Sequence, residues 1–145
     1  MGKIEKEIVF KEGVKELMIP ANKVAIVQVG NSLEHALLVL IKSGYSAIPV
    51  VDRDYKLQGL ISTTRILDFS LGIERIEYEK LGQHTVEEVM EKKVAWIKES
   101  GLFFKALELS INHPFLCVVD DEGVFVGILT RKSILALVHR YLKHP

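Results

Sequence analysis

The chain has 145 residues, 48% of them hydrophobic, and its 19 Lys and Arg balance its 19 Asp and Glu to a formal charge of zero. That is enough apolar chain for one domain or for two small modules sharing a core. A neutral balance lacks the basic field that nonspecific nucleic-acid binding requires.

The opening MGKIEKEIVF is charged and lacks the apolar core of a secretory signal. Lys6 stands where a myristoylation signal takes Ser or Thr. VKELM (14–18) reads as a short helix, and KVAIV (23–27) as a first strand carrying Lys23, Ala25 and Val27. Leu33, Leu37, Leu40 and Ile41 recur at helical spacing. The apolar run ALLVLI (36–41) in that helix is far too short to cross a bilayer, so a cytoplasmic protein with no membrane partner is expected. Gly44, Tyr45 and Ser46 lead into an aliphatic strand, AIPVV (47–51). RDYK is a hairpin turn, LQGLIS (57–62) the return strand, and a helix starts after it. DFSLGIERIEYEKLGQHT (68–85) is charged; it completes that helix and crosses onward.

The same elements then recur. VEEVM (86–90) is the second short helix and KVAWI (93–97) the second first strand. Leu102, Ala106, Leu109 and Ser110 mark its amphipathic helix. FLCVV (115–119), a DEG turn with Gly123 suited to positive φ, and FVGILT (125–130) form the second hairpin, followed by the last helix. The single cysteine, Cys117, permits no intramolecular disulfide and no Cys-based zinc site, and reads as a small buried hydrophobe.

PVVDRDYKLQGLISTTRIL (49–67) aligns on CVVDDEGVFVGILTRKSIL (117–135) at a constant offset, matching Gly59 to Gly127, Ser62 to Thr130 and Ile66-Leu67 to Ile134-Leu135. The lead-in blocks match at slightly longer offsets, as changes in loop length produce. Each copy, about 60 residues, is marginal alone, so two copies sharing a core are expected. The predicted fold is α/β, two modules at 1–78 and 79–145, each a small three-stranded sheet with flanking helices.

This order, spacing and duplication resemble the CBS domain, named after cystathionine β-synthase, and two in tandem resemble a CBS pair or Bateman module. The likeness runs from about residue 10 to residue 140. It implies a pseudo-twofold, disc-like pair with clefts between the modules, dimerisation into a larger disc, and adenine-nucleotide binding that signals to a partner protein. As a stand-alone pair of this size, the chain resembles the bacterial cyclic di-AMP-binding class.

The residues supply chemistry for such a ligand. Ser62, Thr63, Thr64 and Arg65, and again Thr130, Arg131 and Lys132, place hydroxyls and cations at helix starts, where free N–H groups favour an anion. Glycine before them permits a close backbone approach. The bland alternative is that Thr63, Thr64 and Thr130 merely cap helices and the cations are solvated. CBS modules that hold the ribose of AMP or ATP typically carry an Asp three residues after this hydroxyl; the matching positions are Arg65 and Ser133. Arg offers no acceptor for ribose hydroxyls. That departure favours cyclic di-AMP, whose ribose oxygen is tied into phosphate, over AMP, ADP or ATP.

In the family pattern the first strand's backbone reads an adenine edge, with small Ala25 leaving room for the ring. Tyr45 stacks on a base or covers the core edge; Ser46 bonds base or phosphate; Ala47, Ile48 and Pro49 line the pocket. His113, Pro114 and Phe115 replace Tyr45, Ser46 and Ala47 in copy two, and bulky Phe115 narrows that pocket, so the working site combines copy one's pocket with Arg131. No HExxH pair, nucleophile elbow or P-loop occurs, and Asp120, Asp121 and Glu122 read as solvated turn acids. The expectation is a non-enzymatic, homodimeric regulator with no cofactor and no metal. An AMP/ATP energy sensor and a ligand-free interaction scaffold are the alternatives.

Overall fold

The computed structural model describes residues 13–71 and 75–143. The opening MGKIEKEIVF and His144 lie outside those residues. The helix–strand–helix–strand–strand–helix order expected of each copy is present twice. Copy one runs α1 (Val14–Leu17), β1 (Ile19–Pro20), β2 (Val27–Gln28), α2 (Leu33–Ser43), β3 (Ala47–Val51), β4 (Leu57–Ser62) and α3 (Thr63–Ser70). Copy two runs α4 (Val86–Val89), β5 (Trp96–Lys98), α5 (Phe103–Ser110), β6 (Phe115–Val119), β7 (Phe125–Thr130) and α6 (Arg131–Lys143).

The compact units do not follow chain-contiguous halves. One is Ala25–Val94; the other joins the chain up to Val24 with the chain from Ala95 onward. Each lead-in helix therefore belongs to the unit built from the other copy's strands. Val14 is fully buried with Ile97, Phe103, Leu116, Val118 and Ile134. Val86, Val89 and Met90 pack with Val27, Leu33, Leu40, Ile48 and Ile66. The expected modules, 1–78 and 79–145, run along the chain, whereas the packing exchanges the two lead-in helices.

The unit Ala25–Val94 holds a three-stranded sheet, β2-β3-β4, as expected. The other holds four strands, β1-β7-β6-β5, because Ile19 and Pro20 of the lead-in pair with Ile128 and Gly127. In the first unit the equivalent contact is a bridge only: Leu60 and Glu91 exchange two backbone hydrogen bonds of 2.9 and 2.8 Å. Both crossings run over a glycine. A Cβ at Gly59 would stand 2.6 Å from the Glu91 carbonyl, and one at Gly127 would strike the Ile19 carbonyl. The close approach that these glycines permit is thus taken by the chain's own lead-in segments.

Both hairpins turn on the Asp of Val-Val-Asp. Asp52 Oδ1 accepts from the N–H groups of Asp54 and Lys56, each at 2.9 Å. Asp120 Oδ1 accepts from Glu122 at 2.8 Å and Val124 at 3.0 Å. Asp120 is therefore a half-buried turn organiser and not, as expected, a solvated acid. Two helix positions also differ from the periodicity. Ile41 is 65% exposed while Ala36 is buried, and Leu102 precedes α5 and is 70% exposed while Phe103 takes the core.

Candidate functional site

The helix starts are capped by the hydroxyls at the strand ends. Ser62 Oγ accepts from Arg65 N–H at 3.1 Å, and Thr130 Oγ1 accepts from Ser133 N–H at the same distance. Ser62 and Thr130 are N-caps, whereas Thr63 and Thr64 are the first residues of α3. Ser133 Oγ bonds Thr130 Oγ1 at 2.8 Å, so the position that would carry a ribose carboxylate serves the cap instead. Thr130 caps its helix, Ser62 rather than Thr63 or Thr64 caps the other, and the cap bond leaves Ser62 Oγ one lone pair.

The arginines are not free solvated charges. Arg65 Nε donates to the Val89 carbonyl at 2.7 Å, and its Nη1 meets Glu91 Oε2 at 3.2 Å. Arg131 Nε donates to the Ser110 carbonyl at 2.7 Å and Nη2 reaches the Ile111 carbonyl at 3.5 Å. Arg131 thus answers the open carbonyls at the end of α5, where its charge also opposes the helix dipole. Copy one closes the same helix end differently: Gly44 takes φ 76° and donates to the Leu40 carbonyl. Lys132 is exposed.

The edges Gly44-Tyr45-Ser46 and Asn112-His113-Pro114 occupy the same place. The Ser46 carbonyl accepts from Thr63 N–H at 3.1 Å, and the Pro114 carbonyl accepts from Arg131 N–H at 2.9 Å. Tyr45 is 44% exposed. Ser46 is exposed, Ala47 half-buried, and Ile48 and Pro49 buried. Phe115, opposite Thr130, is half-buried.

One placement differs from the sequence reading. Lys23 and Ala25 are not on the first strand: Lys23 ends a 3-10 turn (Ala21–Lys23), Ala25 follows without regular structure, and only Val27 reaches β2. The cause is Pro49. In copy two, Cys117 N–H donates to the Ala95 carbonyl at 3.0 Å, extending β5 by one residue. Proline has no N–H to give, so the matching ladder starts later.

An open groove of about 270 Å3 is lined by Arg65, already a candidate from the sequence, and by Asp68, Phe69, Glu88 and Val89, which the sequence did not single out. His84 lies edge-on to Phe69, with ring centroids 4.8 Å apart, and its Nδ1 is 3.3 Å from Glu88. Glu88 itself caps Thr85 N–H at 2.6 Å, and that bond, with help from His84, holds its carboxyl below the usual range. Among the described residues no group of three His, Cys, Asp or Glu could hold a metal ion, and no helix is long and apolar enough to cross a membrane.

The family model for the CBS domain matches residues 14–72 and again 86–140. The chain belongs to the CBS-domain family. As a CBS pair it is 46% identical, over 99% of its own length and 97% of the relative's, to cyclic di-AMP receptor B of Bacillus subtilis. Among solved structures, a CBS domain-containing protein of unknown function from Bacillus anthracis is 56% identical, with a TM-score of 0.86 over 93% of this chain and 98% of that one. The CbpB protein of Listeria monocytogenes in complex with c-di-AMP is 49% identical, with a TM-score of 0.81 over 90% of this chain and 97% of that one.

Proposed function

We propose that this CBS pair is a cyclic di-AMP receptor that regulates a partner protein in the cytoplasm, acts as a homodimer, and catalyses no reaction itself. The observation that carries the reading is the likeness, along nearly the whole of both chains, to a receptor for that ligand. The site chemistry supports it. Ser62 and Thr130 present hydroxyls at helix starts; of the two residues at the ribose-carboxylate positions, Arg65 has no acceptor for free ribose hydroxyls, and Ser133, bonded to Thr130, offers no carboxylate to take both of them. AMP, ADP and ATP are therefore poorer ligands on this reading.

In the unit Ala25–Val94 the proposed ligand residues are Ala25, Val27, Tyr45, Ser46, Ala47, Ile48, Pro49, Ser62, Thr63, Thr64 and Arg65. Lys23, Thr130, Arg131 and Lys132 are those of the other unit. Ligand acts by binding one partner-competent state better than another. Charge reversal at Arg131 is a poor probe, since it would also expose the end of α5. Exposed Lys132 and Tyr45 are cleaner. Tyr45→Ala and Lys132→Glu are each expected to weaken cyclic di-AMP about tenfold in calorimetric titration, with the apo melting temperature held, as a lost stacking or phosphate contact does. Wild-type affinity in both variants would remove these residues from the site.

A further inference from the structure

The ion pair between Arg65 and Glu91 belongs to one copy alone. Arg65 Nη1, from the first turn of α3, lies 3.2 Å from Glu91 Oε2, just past the end of α4. Both side chains remain open to solvent, at 45% and 44%. The acid is held in place from two directions. Its backbone bridges Leu60, and its second oxygen, Oε1, accepts the Lys93 N–H at 3.0 Å. The cation is held as well, because Arg65 Nε donates to the Val89 carbonyl at 2.7 Å. In the other unit Ile19 takes the place of Glu91: it pairs with Ile128 as Glu91 pairs with Leu60. Ser133 takes the place of Arg65, and its hydroxyl bonds Thr130. Acid and cation are therefore present together in one copy and absent together from the other. The crossing itself does not need them, since Ile19 makes it without a charge, and an exposed ion pair adds little to stability.

We propose that Glu91 is an affinity-setting residue: its carboxylate occupies on Arg65 the place a ligand phosphate would take, and the two compete. Carboxylate and phosphate suit the same guanidinium donors. A ligand that binds Arg65 must first displace a preplaced acid, so its affinity is lower than the hydroxyls and cations of the site alone would give. Copy two, with Ile19 and Ser133, carries no such competitor. This rests on the cyclic di-AMP reading and deepens it, since it names the group that the ligand displaces.

The test is a double-mutant cycle read by calorimetric titration with cyclic di-AMP: wild type, Glu91→Gln, Arg65→Gln and the double variant. Gln keeps the length of Glu and an oxygen for the Lys93 N–H while removing the charge. Glu91→Gln should bind cyclic di-AMP about two- to fivefold more tightly than wild type, the worth of an exposed ion pair, with its apo melting temperature held. Arg65→Gln should bind more weakly, and in that background Glu91→Gln should add nothing. Unchanged or weaker binding by folded Glu91→Gln, or the same gain with Arg65→Gln in place, would overturn the role of Glu91 while leaving the receptor reading intact. Failure of wild type to bind cyclic di-AMP would overturn both.

Discussion

Single residues set how closely each copy packs. Gly127 has no room for a side chain, because the lead-in backbone crosses it. Gly127→Ala should lower stability by about 1–3 kcal/mol, as overpacking does. Gly30→Ala, with open space around it, should change stability by less than about 0.5 kcal/mol. Equal melting temperatures for the two variants would contradict the close crossing. Cys117 is a second such residue. Burial pushes its thiol from 9.0 up to about 12. The unfolded chain releases this proton at lower pH than the folded one. Its contribution to stability is therefore intact below pH 9.0 and is lost as pH rises from there toward about 12. Cys117→Val should remove that part of the alkaline slope, and the native thiol should resist disulfide reagents at pH 8. Rapid modification of the folded protein would contradict its burial.

Elements are largely legible in the sequence, because periodicity and duplication testify to the same thing independently. AIPVV and FLCVV are buried strands, each returning through an Asp-organised turn, and the amphipathic helices lie where the apolar spacing puts them. What was not legible has physical causes. VKELM and VEEVM announce apolar lead-in helices, but a sequence does not say which of two like sheets an apolar face will choose, so the exchange was invisible. Ile41 and Leu102 fit a helical stripe by spacing, yet Ala36 and Phe103 occupy the core, since four-residue spacing admits more than one face. The Val-rich runs before β2 and β5 suggest longer strands than either copy forms, and Pro49, which cannot extend the ladder, shortens β2 by one residue more.

At the scale of the molecule, the fold and the family were readable from the repeat, and the candidate site only in outline. The hydroxyl-plus-cation pattern at each helix start pointed to anion chemistry. It did not reveal that Arg65 and Arg131 already hold carbonyls of their own units. Duplication supplied two equal frames; the differences between Gly44-Tyr45-Ser46 and its twin, and between Pro49 and Cys117, give one of them an open edge. The most direct measurement of the central claim is calorimetric titration of nucleotide-free protein with cyclic di-AMP, AMP, ADP, ATP and cyclic di-GMP. The account predicts saturable binding of cyclic di-AMP well ahead of the others; tight binding of AMP with no response to cyclic di-AMP would contradict it.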